Sequence, residues 1–149
     1  MRSSKKSIVV GALSVALTVL WTSSLSATLS VEPGLYELTA QTVLPHLEES
    51  LRYATTRTRQ CLATQEASAL FPLLRHQAFS GCSLELESAS EAEAHFSLHC
   101  SNPQAATGAA HFALQPGGFQ AVLDLKMGGK NMTLSQRLSA PRLGACSAE

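Results

Sequence analysis

The stretch Cys82 to Cys100, CSLELESASEAEAHFSLHC, decides how the rest of this chain is read. Leu84 and Leu86, then Phe96 and Leu98, alternate with polar residues at period two, the pattern of half-buried strands joined by a turn. Folded about an Ala89–Glu93 loop, the segment sets Leu84 opposite Leu98, Leu86 opposite Phe96, Glu87 opposite His95 and Cys82 opposite Cys100. Directly opposed cysteines at a non-hydrogen-bonded position have Cα atoms near enough to be bridged. The stretch predicts a β-hairpin closed by a disulfide.

The same alternation continues beyond it. Ala110, Phe112 and Leu114 precede the turn Gln115-Pro116-Gly117-Gly118, and Phe119, Ala121, Leu123, Leu125 and Met127 follow it. A second Gly-rich turn, Gly128-Gly129-Lys130-Asn131, leads to Met132, Leu134, Gln136 and Leu138. Two more hairpins follow, with Leu114 meeting Phe119 and Met127 meeting Met132. Upstream, Tyr36, Leu38, Ala40 and Leu44 form a first strand that ends at Pro45. Tyr53 to Cys61, rich in β-branched and long polar residues, forms a second, more solvated one. The fold class expected is mainly β: a strongly curved, open barrel-like antiparallel meander of about seven strands with one short helix, stapled by disulfides. The helix is placed near Gln65 to Phe71, with Thr64 as N-cap and Pro72 interrupting it. Leu70, Phe71, Leu73 and Leu74 are expected to plug the sheet. Leu86, Phe96, Phe112, Ala121, Leu123 and Leu134 share the apolar phase of their strands and should lie on one side.

Composition points to a compartment. The chain opens MRSSKKS, passes through the apolar run IVVGALSVALTVLW and reaches the small residues TSSLSA, the layout of a secretory signal peptide. The run is shorter than the roughly 20 residues that span a bilayer. Residues 1–27 are read as a cleaved signal and 28–149 as a single exported β-domain with no stable membrane span after cleavage, in the periplasm or secreted from a bacterium. Losing Arg2, Lys5 and Lys6 leaves 8 basic against 11 acidic residues, a formal charge near −3, which gives no electrostatic basis for nucleic-acid binding.

All four cysteines lie in the exported part, and an even count behind a signal reads as two disulfides. If Cys82 pairs with Cys100, Cys61 takes Cys146 on the tail. The rival pairing of Cys61 with Cys82 stays open.

No phosphate loop, nucleophile elbow or metalloprotease helix is present, so no enzyme and no cofactor are expected. One grouping carries possible chemistry: Glu87, His95 and His111 form a row on the polar face if the strand registers hold, with His99 two residues further along. Imidazole and carboxylate on adjacent strands bind Zn²⁺ or Cu²⁺, although polar residues on a solvent face need no ligand. Met127 and Met132 belong to the apolar set. Arg57, Arg59 and Arg137 form an anion-binding patch only if their strands adjoin.

Pro33-Gly34-Leu35-Tyr36-Glu37, Cys61-Leu62, Gly81-Cys82 with Cys100, and the terminal Arg142-Leu143-Gly144-Ala145-Cys146 together resemble a family of small exported bacterial proteins known as a domain of unknown function. Tyr36 stands where that family usually has tryptophan, and Ser139-Ala140-Pro141 where an aromatic-glycine-basic run is common. The resemblance implies an exported, disulfide-bonded, mainly β domain and carries no activity with it. The function expected is non-enzymatic binding of an apolar small molecule or a peptide on the concave face of the sheet. The alternatives are a ligand-free structural module docking on another envelope protein, and a surface metal-binding protein.

N-terminal sequencing of the exported protein is expected to begin at Ala27 or Thr28. A chain still carrying Met1 would remove the signal-peptide reading.

Overall fold

A computed structural model describes residues 31–63, 67–102, 105–128 and 132–146. The signal segment lies outside them, as do Thr64 to Glu66 at the start of the expected helix and Gly129 to Asn131 in the last turn. The described residues form one open sheet of seven antiparallel strands: β1 (Gly34–Val43), β2 (Tyr53–Leu62), β3 (Cys82–Ala89), β4 (Glu93–Cys100), β5 (Ala106–Gln115), β6 (Gly118–Met127) and β7 (Thr133–Gly144). Their order across the sheet is β2-β1-β7-β6-β5-β4-β3. Strands β3 to β7 are the meander that the alternation predicted, and the β1–β2 hairpin joins it through β1 beside β7.

This order puts β2 and β3, consecutive in the chain, at opposite edges. Their connection must cross the sheet, and it does so over the apolar face. It is built of short 3₁₀ turns at Ala67–Leu70, Pro72–Arg75 and Gln77–Phe79 where one short helix was expected near Gln65 to Phe71. The reason is Pro72: the residue before a proline is driven out of helical conformation, and Phe71 is extended at φ −93° and ψ 110°. Proline then starts the next turn, a position where its missing N–H costs nothing. The crossing segment still performs the expected task, with Leu70, Phe71, Leu74 and Phe79 buried against the sheet.

Beneath it the core is a run of aromatic contacts. Phe112, fully buried, lies 5.5 Å from Phe71, 5.3 Å from Phe96 and 6.2 Å from Phe119, ring centre to ring centre, and Phe119 lies 5.6 Å from Tyr36. Tilted and edge-on contacts at these separations are favourable beyond their area. Of the six residues expected on the apolar side, five are buried; Leu86, on edge strand β3, remains 37% exposed. Among the described residues Gln136 is the polar one buried with them. Its side-chain oxygen accepts the Leu73 N–H at 3.1 Å and its amide donates to Thr42 Oγ1 at 2.7 Å, so the crossing segment is tied to the middle of the sheet by a satisfied buried group.

The disulfides follow the expected pairing. Cys82 and Cys100 face one another with Cα atoms 3.9 Å apart, and the Ser101 N–H bond to Gly81 O makes the neighbouring pair the hydrogen-bonded one. Cys61 pairs with Cys146 at 5.6 Å. Leu35 of β1 lies between Cys61 of β2 and Gly144 of β7, so this bond bridges over the start of β1.

The two terminal motifs meet at the same place. Arg142 donates through Nε and a terminal nitrogen to Pro33 O at 3.2 and 2.9 Å and pairs with Glu32 at 3.3 Å. The Tyr36 hydroxyl donates to Glu32 O at 2.6 Å. A side chain at Gly34 would lie 2.5 Å from Arg142 Nε and from Gly144 O, so only glycine fits there. Burial pushes the Tyr36 phenol above its ordinary value, with Arg142 opposing the shift and Glu32 adding to it.

Phe112→Ala is expected to cost about 3–5 kcal/mol of stability, whereas Leu86→Ala should cost under about 1 kcal/mol because the side chain is already wet. Chemical denaturation of both variants measures this, and equal losses would contradict the packing described. For Tyr36 the folded pKa exceeds the unfolded one, so its contribution is complete below the unfolded value of about 10 and is lost as pH rises through the folded value. In Tyr53→Phe, which leaves Tyr36 as the remaining tyrosine, phenolate absorbance should appear above that ordinary pH, together with loss of stability.

Candidate functional site

The two edges of the sheet are unlike. At β3 the strand is eight residues long, carries a bulge and is bonded to β4 by the Cys82–Cys100 disulfide, devices that blunt an edge against further pairing. At β2 a ten-residue strand pairs with β1 in unbroken register, Gly34 with Leu62 through Val43 with Tyr53, and is exposed over almost its whole length. The Leu44 N–H bond to Arg52 O fixes which residues face β1. Bonding alternates along an antiparallel pair, so Ala54, Thr56 and Thr58 turn their backbone groups inward. Thr55, Arg57 and Arg59 turn theirs to the open side. Leu47, Leu51 and Tyr53 are exposed at one end of this edge. Arg57 and Arg59 both lean on Glu37, at 3.8 and 3.5 Å. β1 separates them from Arg137 on β7, so the three arginines do not form a common anion patch. Arg137 instead lines a shallow groove of about 310 Å³ with Thr39, Gln41, Thr55, Leu138 and Ser139.

The histidines come together as the registers predicted, but with a different carboxylate. His95 pairs with His111, and their rings stack at 4.5 Å, 17° from parallel. Glu87 does not face His95. Ser90 closes a tight turn, donating its N–H to Glu93 O at 2.7 Å and accepting the Ala92 and Glu93 N–H groups on its hydroxyl. That turn needs a register one residue out of step with the disulfide end of the hairpin. A bulge between Leu86 and Ser88 absorbs the difference, leaving Glu87 unpaired and Ser88 opposite His95. The carboxylate that reaches the histidines is Glu93, its Oε2 lying 3.7 Å from His111 Nε2 and 4.0 Å from His95 Nε2. Glu93 was legible in principle: two residues before His95 on one strand, it must share that residue's face. His99 pairs separately with Glu85 at 3.5 Å. Met127 packs against the core, in keeping with its place in the apolar set.

A larger cleft, about 540 Å³, crosses β5, β6 and β7 around the row Gly108, Leu125 and Leu134, with Pro45 at its margin. Its lining is mostly apolar. The aromatic centre of the inner face, by contrast, is filled by Phe71 against Phe112. Among the described residues no helix is long and apolar enough to cross a membrane.

No curated protein and no solved structure matches the chain. A family model described as a protein of unknown function, DUF3617, matches residues 31–146, the span that holds all seven strands and both disulfides. By that match the chain belongs to the DUF3617 family of proteins of unknown function.

Proposed function

We propose that this is a non-enzymatic protein of the bacterial cell envelope, exported to the periplasm or beyond, that holds an extended segment of another envelope protein along the open edge of β2. The observation that carries this reading is the contrast between the edges: β3 is bulged and cross-linked, whereas β2 offers ten residues in regular register with outward backbone groups at Thr55, Arg57 and Arg59. Strand addition draws its affinity from such main-chain bonds and its specificity from alternate side chains. The exposed Leu47, Leu51 and Tyr53 would supply apolar contacts at one end, and the two arginines would favour a segment with acidic residues. Two disulfides are compatible with an oxidising compartment outside the cytoplasm.

A second reading, binding of an apolar small molecule, is favoured by the cleft around Gly108, Leu125 and Leu134, whose volume falls in the range of ligand sites. Protein isolated from its own cells and extracted with organic solvent would then yield a stoichiometric apolar compound.

Proline at an outward position removes a donor from the open edge without breaking the ladder to β1. Thr55→Pro and Arg57→Pro are therefore expected to keep the thermal stability of the parent and to lose the envelope proteins that co-purify with it. Thr56→Pro, at a position bonded to β1, should lower stability. Unchanged capture by folded Thr55→Pro and Arg57→Pro would overturn the strand-addition reading.

A further inference from the structure

We infer that Glu93, His95 and His111 form a binding site for one borderline divalent cation, Zn²⁺ or Cu²⁺, on the polar face of the sheet. It lies on β4 and β5, four strands from the β2 edge at its nearer strand, so it is independent of the peptide reading.

The donor set comes first. Each of the three residues offers one ligand atom, and these atoms lie within 4.8 Å of one another. A tetrahedral ion with bonds of about 2.0–2.2 Å holds its ligands roughly 3.3–3.5 Å apart. The Glu93 oxygen already stands 3.7 and 4.0 Å from the two Nε2 atoms, and no donor pair, the widest being within 4.8 Å, has to close by more than about 1.4 Å to complete a ligand set. Two imidazoles and one carboxylate suit Zn²⁺ and Cu²⁺ over Mg²⁺ or Ca²⁺, which take oxygen ligands.

The local fold brings these groups together. The cross-strand register sets His95 beside His111 with their rings stacked, and because an imidazole lone pair lies in its ring plane the rings turn to aim both Nε2 atoms at one ion; the Ser90 turn fixes the backbone of Glu93 at the head of β4. The Nε2 atom of His111 is shielded from solvent and has no hydrogen-bond partner, a polar atom whose buried lone pair or proton is left unanswered. An ion bridging it to Glu93 would answer it. Beside the cluster, Ser88, Ala89, Ser90, Glu93 and His95 line a recess of about 240 Å³. It gives room for water, or for an oxygen of a further ligand, at the remaining coordination positions. All four cysteines are held in disulfides, so no thiolate competes for the ion.

Isothermal titration of the untagged, disulfide-bonded protein with Zn²⁺ and with Cu²⁺ near pH 7.5 should show one ion per chain. Uptake should be lost in His95→Ala, His111→Ala and Glu93→Gln. Glu87→Gln and His99→Ala should bind as the parent does. Glu93 and His95 are exposed and His111 is half-buried on the polar face, so circular dichroism should show each variant folded. The Cu²⁺ complex of the parent protein should give nitrogen hyperfine structure from two imidazoles. Uptake that survives His111→Ala, or well under one ion per chain, would overturn the site, and loss in Glu87→Gln with retention in Glu93→Gln would overturn the ligand assignment.

Discussion

An open antiparallel sheet with one apolar face has to cover that face, and here the chain does so with the connection between its two edge strands. Because β2 and β3 lie at opposite margins, residues between them have no route except across the sheet, and the crossing segment brings Leu70, Phe71 and Leu74 down onto the strands. Burial of apolar area supplies most of the stabilisation. The Gln136 bonds to Leu73 and Thr42 add position rather than much energy, since a satisfied buried amide contributes about 1 kcal/mol net. The polar face is thereby free for other uses, and both candidate sites lie away from the aromatic core.

The second constraint is at the margin where the chain's ends meet. Gly34 has no side chain because Arg142 and the Gly144 carbonyl occupy the space; Arg142 in turn closes on Pro33 and Glu32. The two terminal motifs of the family resemblance, Pro33 to Glu37 and Arg142 to Cys146, therefore form one joint with Cys61, in which β1 is locked between β2 and β7, while Gly81-Cys82 and Cys100 lie at the opposite edge. Their spacing in sequence has a structural cause and needs no catalytic one.

The hairpin was legible because period-two alternation and two cysteines 18 residues apart agree on one register, and Leu84, Leu98, Leu86 and Phe96 pair accordingly. What was not legible was the turn. Whether Ser90 or Ala89 closes it depends on hydrogen bonds that hydrophobic pattern does not encode, and that single choice moved Glu87 out of line with His95. The crossing segment was read as helix because its composition favours helix, while the pre-proline restriction at Phe71 and the need to lie flat on a sheet favour 3₁₀ turns. The solvated character of β2 was visible in its arginines and threonines. Its place at the margin depended on β7 pairing with β1, a contact that local alternation cannot reveal.

The Cys61–Cys146 bond also orders events in time. Its partners are 85 residues apart, against 18 for Cys82 and Cys100, and from that ratio alone loop closure costs about 1.4 kcal/mol more entropy. The short bond can form as soon as one hairpin exists. The long one brings its thiols together only after β7 has docked on β1, so it marks a completed sheet. Without that docking nothing in the sheet holds Cys61 beside Cys146, and a thiol left reduced is open to exchange with other thiols.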